Sequence, residues 1–417
     1  MMGMTGMRGI KHQREPVCRL NIAAMALAVA ACLAPAPALA GAQSYPLPTP
    51  VMQAVIDKDT ARHFGDAPAN GGPLATDLSA ALEPAAIDKA LRKVADWQLA
   101  RSQPYFDRIW TSGVMYTGFM AASEATGDPK YRDAMLAMSR QFGWQLHGPY
   151  PNADEQIVAQ TYLELYFQNP RPEMLAPARA ELDTLIGLKT LKPGDERLPW
   201  WWCDALFMAP PVWAKMAKAT GERKYLDYVH EQWRKTSELL YDREEHLYAR
   251  DASYIGQTGA NGKKVFWSRG EGWVLGGLAR TLGLIPEDDP QRDFYIVQLR
   301  EMSARIAQLQ GNDGLWHASL LDPVAYPLPE ISGSALFVFG LAYGVNHGYL
   351  DAKVYRPVIA RAWTGILTHV YADGRLGAIQ QTGAESAFYL PASSYNYGVG
   401  GFMLAAAELK KLAAESH

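Results

Sequence analysis

The sequence predicts an all-α protein, a toroid of six helical hairpins, and three observations carry that prediction. First, a hairpin junction recurs: Ala125-Thr126-Gly127-Asp128-Pro129-Lys130-Tyr131 reappears as Ala219-Thr220-Gly221-Glu222-Arg223-Lys224-Tyr225. In each copy the glycine suits a helix C-cap. The acid after it suits the start of the next helix, where the dipole favours negative charge. Second, two kinds of helix alternate. Gly113–Ala122, Ala205–Ala219, Gly272–Leu282 and Gly333–Gly344 are apolar nearly all round, whereas Tyr131–Phe142, Tyr225–Leu240, Phe294–Leu309 and Val354–Leu367 are amphipathic. A helix apolar on every side is buried and one with a single apolar stripe faces water, so an inner ring is wrapped by an outer ring. Third, no alternating β-branched run of useful length occurs beyond Lys264–Phe266, which leaves only small hairpins as strands.

Taken in order, the chain opens with a segment that does not belong to the fold. Lys11, Arg14 and Arg19 precede an apolar run from Ile22 to Leu33, followed by Pro35, Pro37 and the small-x-small site Ala38-Leu39-Ala40. That pattern reads residues 1–40 as a secretory signal, too short for a stable membrane span, and places the protein outside the cytoplasm, in the periplasm. Val29-Ala30-Ala31-Cys32 is a poor lipoprotein-type site. Cys18 and Cys32 fall within this segment, so Cys203 alone remains and no intrachain disulfide is expected; core packing is its expected role.

Residues 41–79, with Pro46, Pro48, Pro50, Gly65, Pro68, Gly71 and Gly72, read as an irregular arm. A single catalytic domain then occupies residues 80–417. Its helices are expected near 81–98, 113–125, 129–145, 154–167, 172–187, 204–219, 223–240, 270–284, 290–309, 332–346, 352–370 and 395–412. The loops between them carry Gly, Pro, Asn and Asp, as in Gly148-Pro149-Tyr150-Pro151-Asn152 and Gly311-Asn312-Asp313-Gly314.

All hairpins of a toroid run the same way round, so the segments before the inner helices gather at one mouth. They supply Trp110, Asp154, Trp200-Trp201-Trp202-Cys203-Asp204, Trp267-Ser268-Arg269-Gly270-Glu271-Gly272-Trp273, Glu330 and Tyr395-Asn396-Tyr397. Aromatic rings stack on sugar faces and arginine offers a fixed fork to a carboxylate, so this mouth suits a carbohydrate. Asp204 follows three tryptophans and opens a strongly apolar helix. Burial there raises a carboxyl pKa and a helix N-terminus lowers it, which leaves two readings, a helix cap or a general acid. Asp154 invites the same pair of readings. Two carboxylates at one mouth are what acid–base work on a glycoside needs. Arg269 and Trp273, four residues apart, read as an anion clamp beside a stacking ring, against the plainer reading of Arg269 paired within the fold.

Other chemistries find little support. Lys+Arg at 40 nearly cancels Asp+Glu at 43, and no basic block suggests nucleic acid. The histidines form no ligand pair at helical spacing, so no metal or other cofactor is expected. A Gly-x-Ser-x-Gly elbow is absent, and the Gly-x-Gly at Gly270 lacks a preceding strand.

Trp202-Cys203-Asp204-Ala205-Leu206-Phe207, Asn152-Ala153-Asp154, Phe266–Trp273 and Glu330-Ile331-Ser332-Gly333-Ser334 resemble the motifs of the unsaturated rhamnogalacturonyl hydrolases, glycoside hydrolase family 105, related to the unsaturated glucuronyl hydrolases of family 88. The resemblance implies an (α/α)6 barrel without cofactor. It also implies a partner, an anionic oligosaccharide ending in a 4,5-unsaturated uronic acid. In that family an aspartate matching Asp204 protonates C4 of the enol ether, and one matching Asp154 orders substrate and water. Arg269 and Trp273 match residues beside the unsaturated sugar; on the residues alone, Trp110 and Trp202 are further candidate contacts at the mouth, and Glu330 reads as a pocket wall with a helix cap. Where better-known members place a histidine, this chain has Leu247-Tyr248-Ala249-Arg250-Asp251, which assigns Arg250 and Asp251 to substrate recognition and opens the leaving sugar to alternatives. A glucuronyl substrate from ulvan or another glucuronate-bearing oligosaccharide is one. Other chemistry on the same toroid and a non-catalytic envelope carbohydrate-binding protein are the remaining rivals.

Overall fold

A computed structural model describes residues 48–148, 152–188, 194 and 196–414; the expected signal segment lies outside the described residues. The inner helices are α3 (Trp110–Thr126), α5 and α6 (Ala153–Gln156 and Val158–Gln168), α8 and α9 (Ala205–Met208 and Pro210–Thr220), α11 (Ser268–Leu282), α13 (Ile331–Asn346) and α15 (Asn396–Ala414). The outer helices are α2 (Pro84–Ser102), α4 (Pro129–Gln141), α7 (Pro172–Leu185), α10 (Arg223–Leu240), α12 (Arg292–Gln308) and α14 (Ala352–Leu367). Each inner helix packs on the next, and α15 packs on both α13 and α3. The ring therefore closes, and an open solenoid is excluded. At that closure a Cβ on Gly400 would stand 2.7 Å from the Val114 carbonyl oxygen, so only glycine lets α15 approach α3 this closely.

The repeated junction behaves as its chemistry requires. Gly127 and Gly221 end α3 and α9 with φ of 69° and 73°, a left-handed conformation that costs glycine nothing. Asp128 caps α4 by accepting from Lys130 N at 3.1 Å. Glu222 makes no such bond and instead pairs with Arg179 and Lys224 at 2.6 and 2.9 Å.

Two inner helices are broken one turn in. Ile157 separates α5 from α6, and Ala209 separates α8 from α9, which opens on Pro210, a residue with no N–H to continue the helix. The breaks set Ala153–Gln156 and Ala205–Met208 apart as single turns at the mouth.

The arm departs from the expectation of irregular chain. Pro50–Ala61 forms a helix, α1, because Thr49 caps it and Pro50 occupies the first turn, where a missing N–H costs nothing. Prolines that read as breakers are here a helix start. Beyond α1, strand β1 (Gly65–Asp66) pairs antiparallel with β4 (Ser394–Tyr395), immediately before α15, which ties the arm to the mouth end of the ring. The other short pair is β2 (Tyr241–Asp242) with β3 (Leu247–Tyr248).

Candidate active site

Asp154 rides on the first detached turn, and Asp204 stands immediately before the second. Asn152, not Asp154, caps α5: its side chain accepts from the backbone N–H of Asp154 at 2.9 Å and of Glu155 at 3.3 Å. The Asp154 carboxylate is thereby left for other work. Asp204 stands at the head of α8 but in helical conformation, with no side-chain cap bond. It accepts a weak bond from the Cys203 thiol at 3.4 Å and lies 3.7 Å from Arg250 Nε. Neither carboxylate is a helix cap.

The electrostatics of the pair follow from this placement. Asp154 is half-buried by surface, yet the surrounding protein desolvates its carboxyl and pushes its pKa up to about 7. The negative charge of Asp204, then that of Glu155, adds to the rise, and Arg250 opposes it. Near neutral pH the Asp154 carboxyl is therefore roughly half protonated.

Arg250 reaches the site from the segment after β3. Its Nη1 donates to Asp251 at 2.7 Å and its guanidinium lies 5.4 Å from the Trp201 ring centre. Its Nε is buried without a hydrogen-bond partner among the described residues. Asp251 also accepts from Ser253 N and Oγ at 2.8 and 2.5 Å, so it orients Arg250 and the turn rather than offering itself to a ligand. Behind them, the fully buried Glu271 accepts from Tyr248 N at 2.9 Å and so fixes β3. Burial, more than the nearby charge of Asp204, keeps its carboxyl strongly biased to the neutral acid. Burial likewise raises the Cys203 thiol well above its usual range, consistent with a packed, unreactive cysteine.

Besides Asp251, the sequence-derived assignments of Arg269, Trp273 and Trp202 change, and Glu330 keeps only the capping part of its reading. Arg269 is no anion clamp at the mouth: it is fully buried, and its Nη1 and Nη2 donate to the carbonyls of Gln380 and Gln381 at 2.8 and 2.9 Å. Its guanidinium is sandwiched near Trp267 and Tyr397, at 4.3 and 4.8 Å from their ring centres. Glu330 caps α13, accepting from Gly333 N at 2.7 Å and from Ser332, and takes Gln380 N at 3.1 Å. Both residues hold the 380–382 loop. Trp273 is wholly enclosed, edge-on to Trp110 at 6.3 Å and tilted against Phe207 at 5.0 Å, so it backs the wall instead of forming it. Trp202 is buried too, its backbone bridged to Asp251. In extended chain successive side chains point opposite ways, and it is Trp201 that is left half-exposed beside Arg250.

Trp110 keeps its expected place. It is half-buried at the start of α3 and stacks on Tyr397 with centroids 5.1 Å apart. Tyr397, whose hydroxyl donates to the Gln380 carbonyl at 2.5 Å, was not singled out from sequence, although its place at the start of the last inner helix was the available signal. Among the described residues, no group of three or more His, Cys, Asp and Glu side chains is arranged to hold a metal ion.

Comparison with known proteins places the family and the fold. The family described as Glycosyl Hydrolase Family 88 matches residues 82–413. The unsaturated 3S-rhamnoglycuronyl hydrolase of Formosa agariphila is 38% identical, over 78% of this chain and 91% of that protein. A glycosyl hydrolase family 88 structure from Bacteroides vulgatus superposes with a TM-score of 0.74 at 33% identity, covering 78% of this chain and 98% of the other. A possible GH105 member from Salmonella enterica, at 22% identity, shares the fold with a TM-score of 0.66, covering 80% and 95%.

Proposed function

This chain belongs to glycosyl hydrolase family 88, and we propose that it removes a 4,5-unsaturated uronic acid from the non-reducing end of oligosaccharides made by polysaccharide lyases. The observation that carries the reading is the Asp154 carboxyl, raised to about 7 by burial and by the charge of Asp204, with Arg250 3.7 Å from Asp204. Protonating the C4 carbon of an enol ether needs a carboxylic acid that still holds its proton near neutral pH, and the raised Asp154 carboxyl keeps one at the mouth. Asp204, on the arginine side, delivers the proton to C4, and positive charge develops at C5. A water held by Asp154 adds at C5 and returns its proton to the pair. The resulting hemiketal opens, and the bond to the next sugar breaks without displacement at the glycosidic carbon. Arg250 is the guanidinium for the uronate carboxylate, taking the role that the sequence gave first to Arg269.

For the leaving sugar, the name of the Formosa agariphila relative favours rhamnose joined to a glycuronyl group, with the rhamnogalacturonyl substrate as the second reading. Placement within the family 105 branch rests on the quoted motifs and the shared fold. Export to the periplasm rests on the pattern of residues 11–40. The test is incubation with unsaturated glucuronyl-rhamnose and unsaturated galacturonyl-rhamnose, following the ultraviolet absorbance of the double bond and the release of rhamnose. Loss of absorbance with release of sugar from either supports the activity. Turnover of the saturated analogues at the same rate would refute it.

A further inference from the structure

The other end of the ring holds a second opening. The C-terminal halves of all six inner helices line a cavity of about 1100 Å³, at the end opposite to Asp154 and Asp204. Small residues such as Ala121, Ala279 and Gly283 leave the space open. Six helix C-termini converge there, and their dipoles alone would favour a cation. The side chains oppose that sign: six Lys and Arg residues line the cavity with three Glu, and although Arg132, Lys410 and Lys411 are paired with Asp133, Asp88 and Glu408, Lys215 and Arg280 have only Glu164 between them.

The imbalance is sharpest at the floor. Lys215, buried, donates to Glu164 and, at 3.1 Å, to the Gln160 carbonyl. Arg280 donates from Nη2 to the same Glu164 carboxylate at 2.8 Å and from Nε to Gln160 Oε1 at 2.7 Å. Two cations therefore share one carboxylate in a recessed place. Burial, together with Arg280 and against the pull of Glu164, pushes the Lys215 pKa down to about 8. On the rim, Lys218 is exposed, lies 5.3 Å from the Phe167 ring centre and makes no ion pair among the described residues. Tyr343, on the cavity wall, has a buried hydroxyl with no hydrogen-bond partner among the described residues. A buried excess of positive charge beside open volume is costly unless an anion completes it.

We propose that this rear cavity is a second binding site, for a sugar-sized ligand carrying an oxyanion, a carboxylate or a sulfate. Lys215 and Arg280 take the oxyanion at the floor. Phe167 and Lys218 meet the sugar at the rim. The site is separate from the catalytic mouth and does not depend on the reaction assigned to that mouth.

The test is calorimetric titration of the full chain carrying Arg250→Met, which disables the mouth's own cation. Glucuronate, inorganic sulfate and glucose are the probes. Saturable binding of glucuronate or sulfate at one site per chain, with glucose silent, is expected; which of the two binds more tightly identifies the oxyanion. Lys218→Glu, an exposed change, should weaken that binding roughly ten- to a hundredfold. Made alone, the same change should leave turnover at the mouth unaltered. Lys215→Met should abolish the binding if it folds. No saturable binding, equal binding of glucose, or binding indifferent to Lys218→Glu would each overturn the proposal.

Discussion

At the scale of single residues, the site is a matter of which carboxylate is left unused by the fold. Asn152 takes the capping bonds that Asp154 would otherwise make, and Asp204 caps nothing. This could not be read from sequence, because Asn152 and Asp154 are both good caps and only geometry decides between them. Arg269 failed for the complementary reason. A guanidinium at the head of an inner helix suits a ligand or two loop carbonyls equally well, and the 380–382 loop is far away in sequence. Asp204→Asn should lower turnover of an unsaturated disaccharide roughly 10²–10⁴-fold with the fold intact, as measured by kinetics and circular dichroism. Arg250→Met should raise KM for the charged substrate roughly ten- to a hundredfold, the worth of a charge-assisted hydrogen bond. Arg269→Met should instead cost about 1–3 kcal/mol of stability in urea unfolding, because the Gln381 carbonyl loses its arginine donor and the Gln380 carbonyl keeps only Tyr397. The pH dependence follows from Asp154, whose pKa rises to about 7 from 3.8. In the native state Asp154 keeps its proton below about pH 7, so kcat/KM should fall as pH rises through that value. Between pH 4 and 7, roughly, the folded state binds a proton that the unfolded chain has lost, so this group's contribution to stability falls as pH rises. Asp154→Asn should flatten that slope.

At the scale of elements, the helices were legible because their apolar periodicity and Gly-acid junctions are local signals. Residues 223–240 and 352–367 fall where the pattern puts them, and the errors elsewhere are mostly fraying of a few residues at helix ends. What escaped were the interruptions. Pro210-Pro211 inside an apolar stretch looked like continuous helix, yet it cuts off the turn that carries the segment after Asp204. The arm escaped for the opposite reason, since Pro50 begins a helix there. That helix has a task. Asp59 accepts from Thr382 N and Oγ1 at 3.0 and 2.8 Å, and the loop it holds offers its Gln380 and Gln381 carbonyls to Arg269. Asp59→Ala should lower stability by about 1–3 kcal/mol, the cost of leaving buried partners unpaired, measured by denaturant unfolding. It should also slow turnover less than Asp204→Asn does, since it loosens a wall and leaves the acid in place.

At the scale of the whole toroid, alternation of apolar and amphipathic helices implied an inner and an outer ring, and the contact between α15 and α3 closes it. Ring closure is what brings residues as distant in sequence as Trp110 and Tyr397 into one stack. It also separates two ends of opposite character, a mouth with paired aspartates and a rear cavity with excess cations. The sequence exposed the first end because its residues are rare types at helix starts. It hid the second because lysines near helix C-termini look like ordinary dipole partners. The central claim is that the mouth acts on a carbon–carbon double bond by protonating C4. Running the reaction on an unsaturated uronyl disaccharide in D2O tests it most directly. The account predicts a released sugar acid with one deuterium at C4 and no enol-ether absorbance. Release of the uronic acid with its double bond intact and no deuterium at C4 would contradict it.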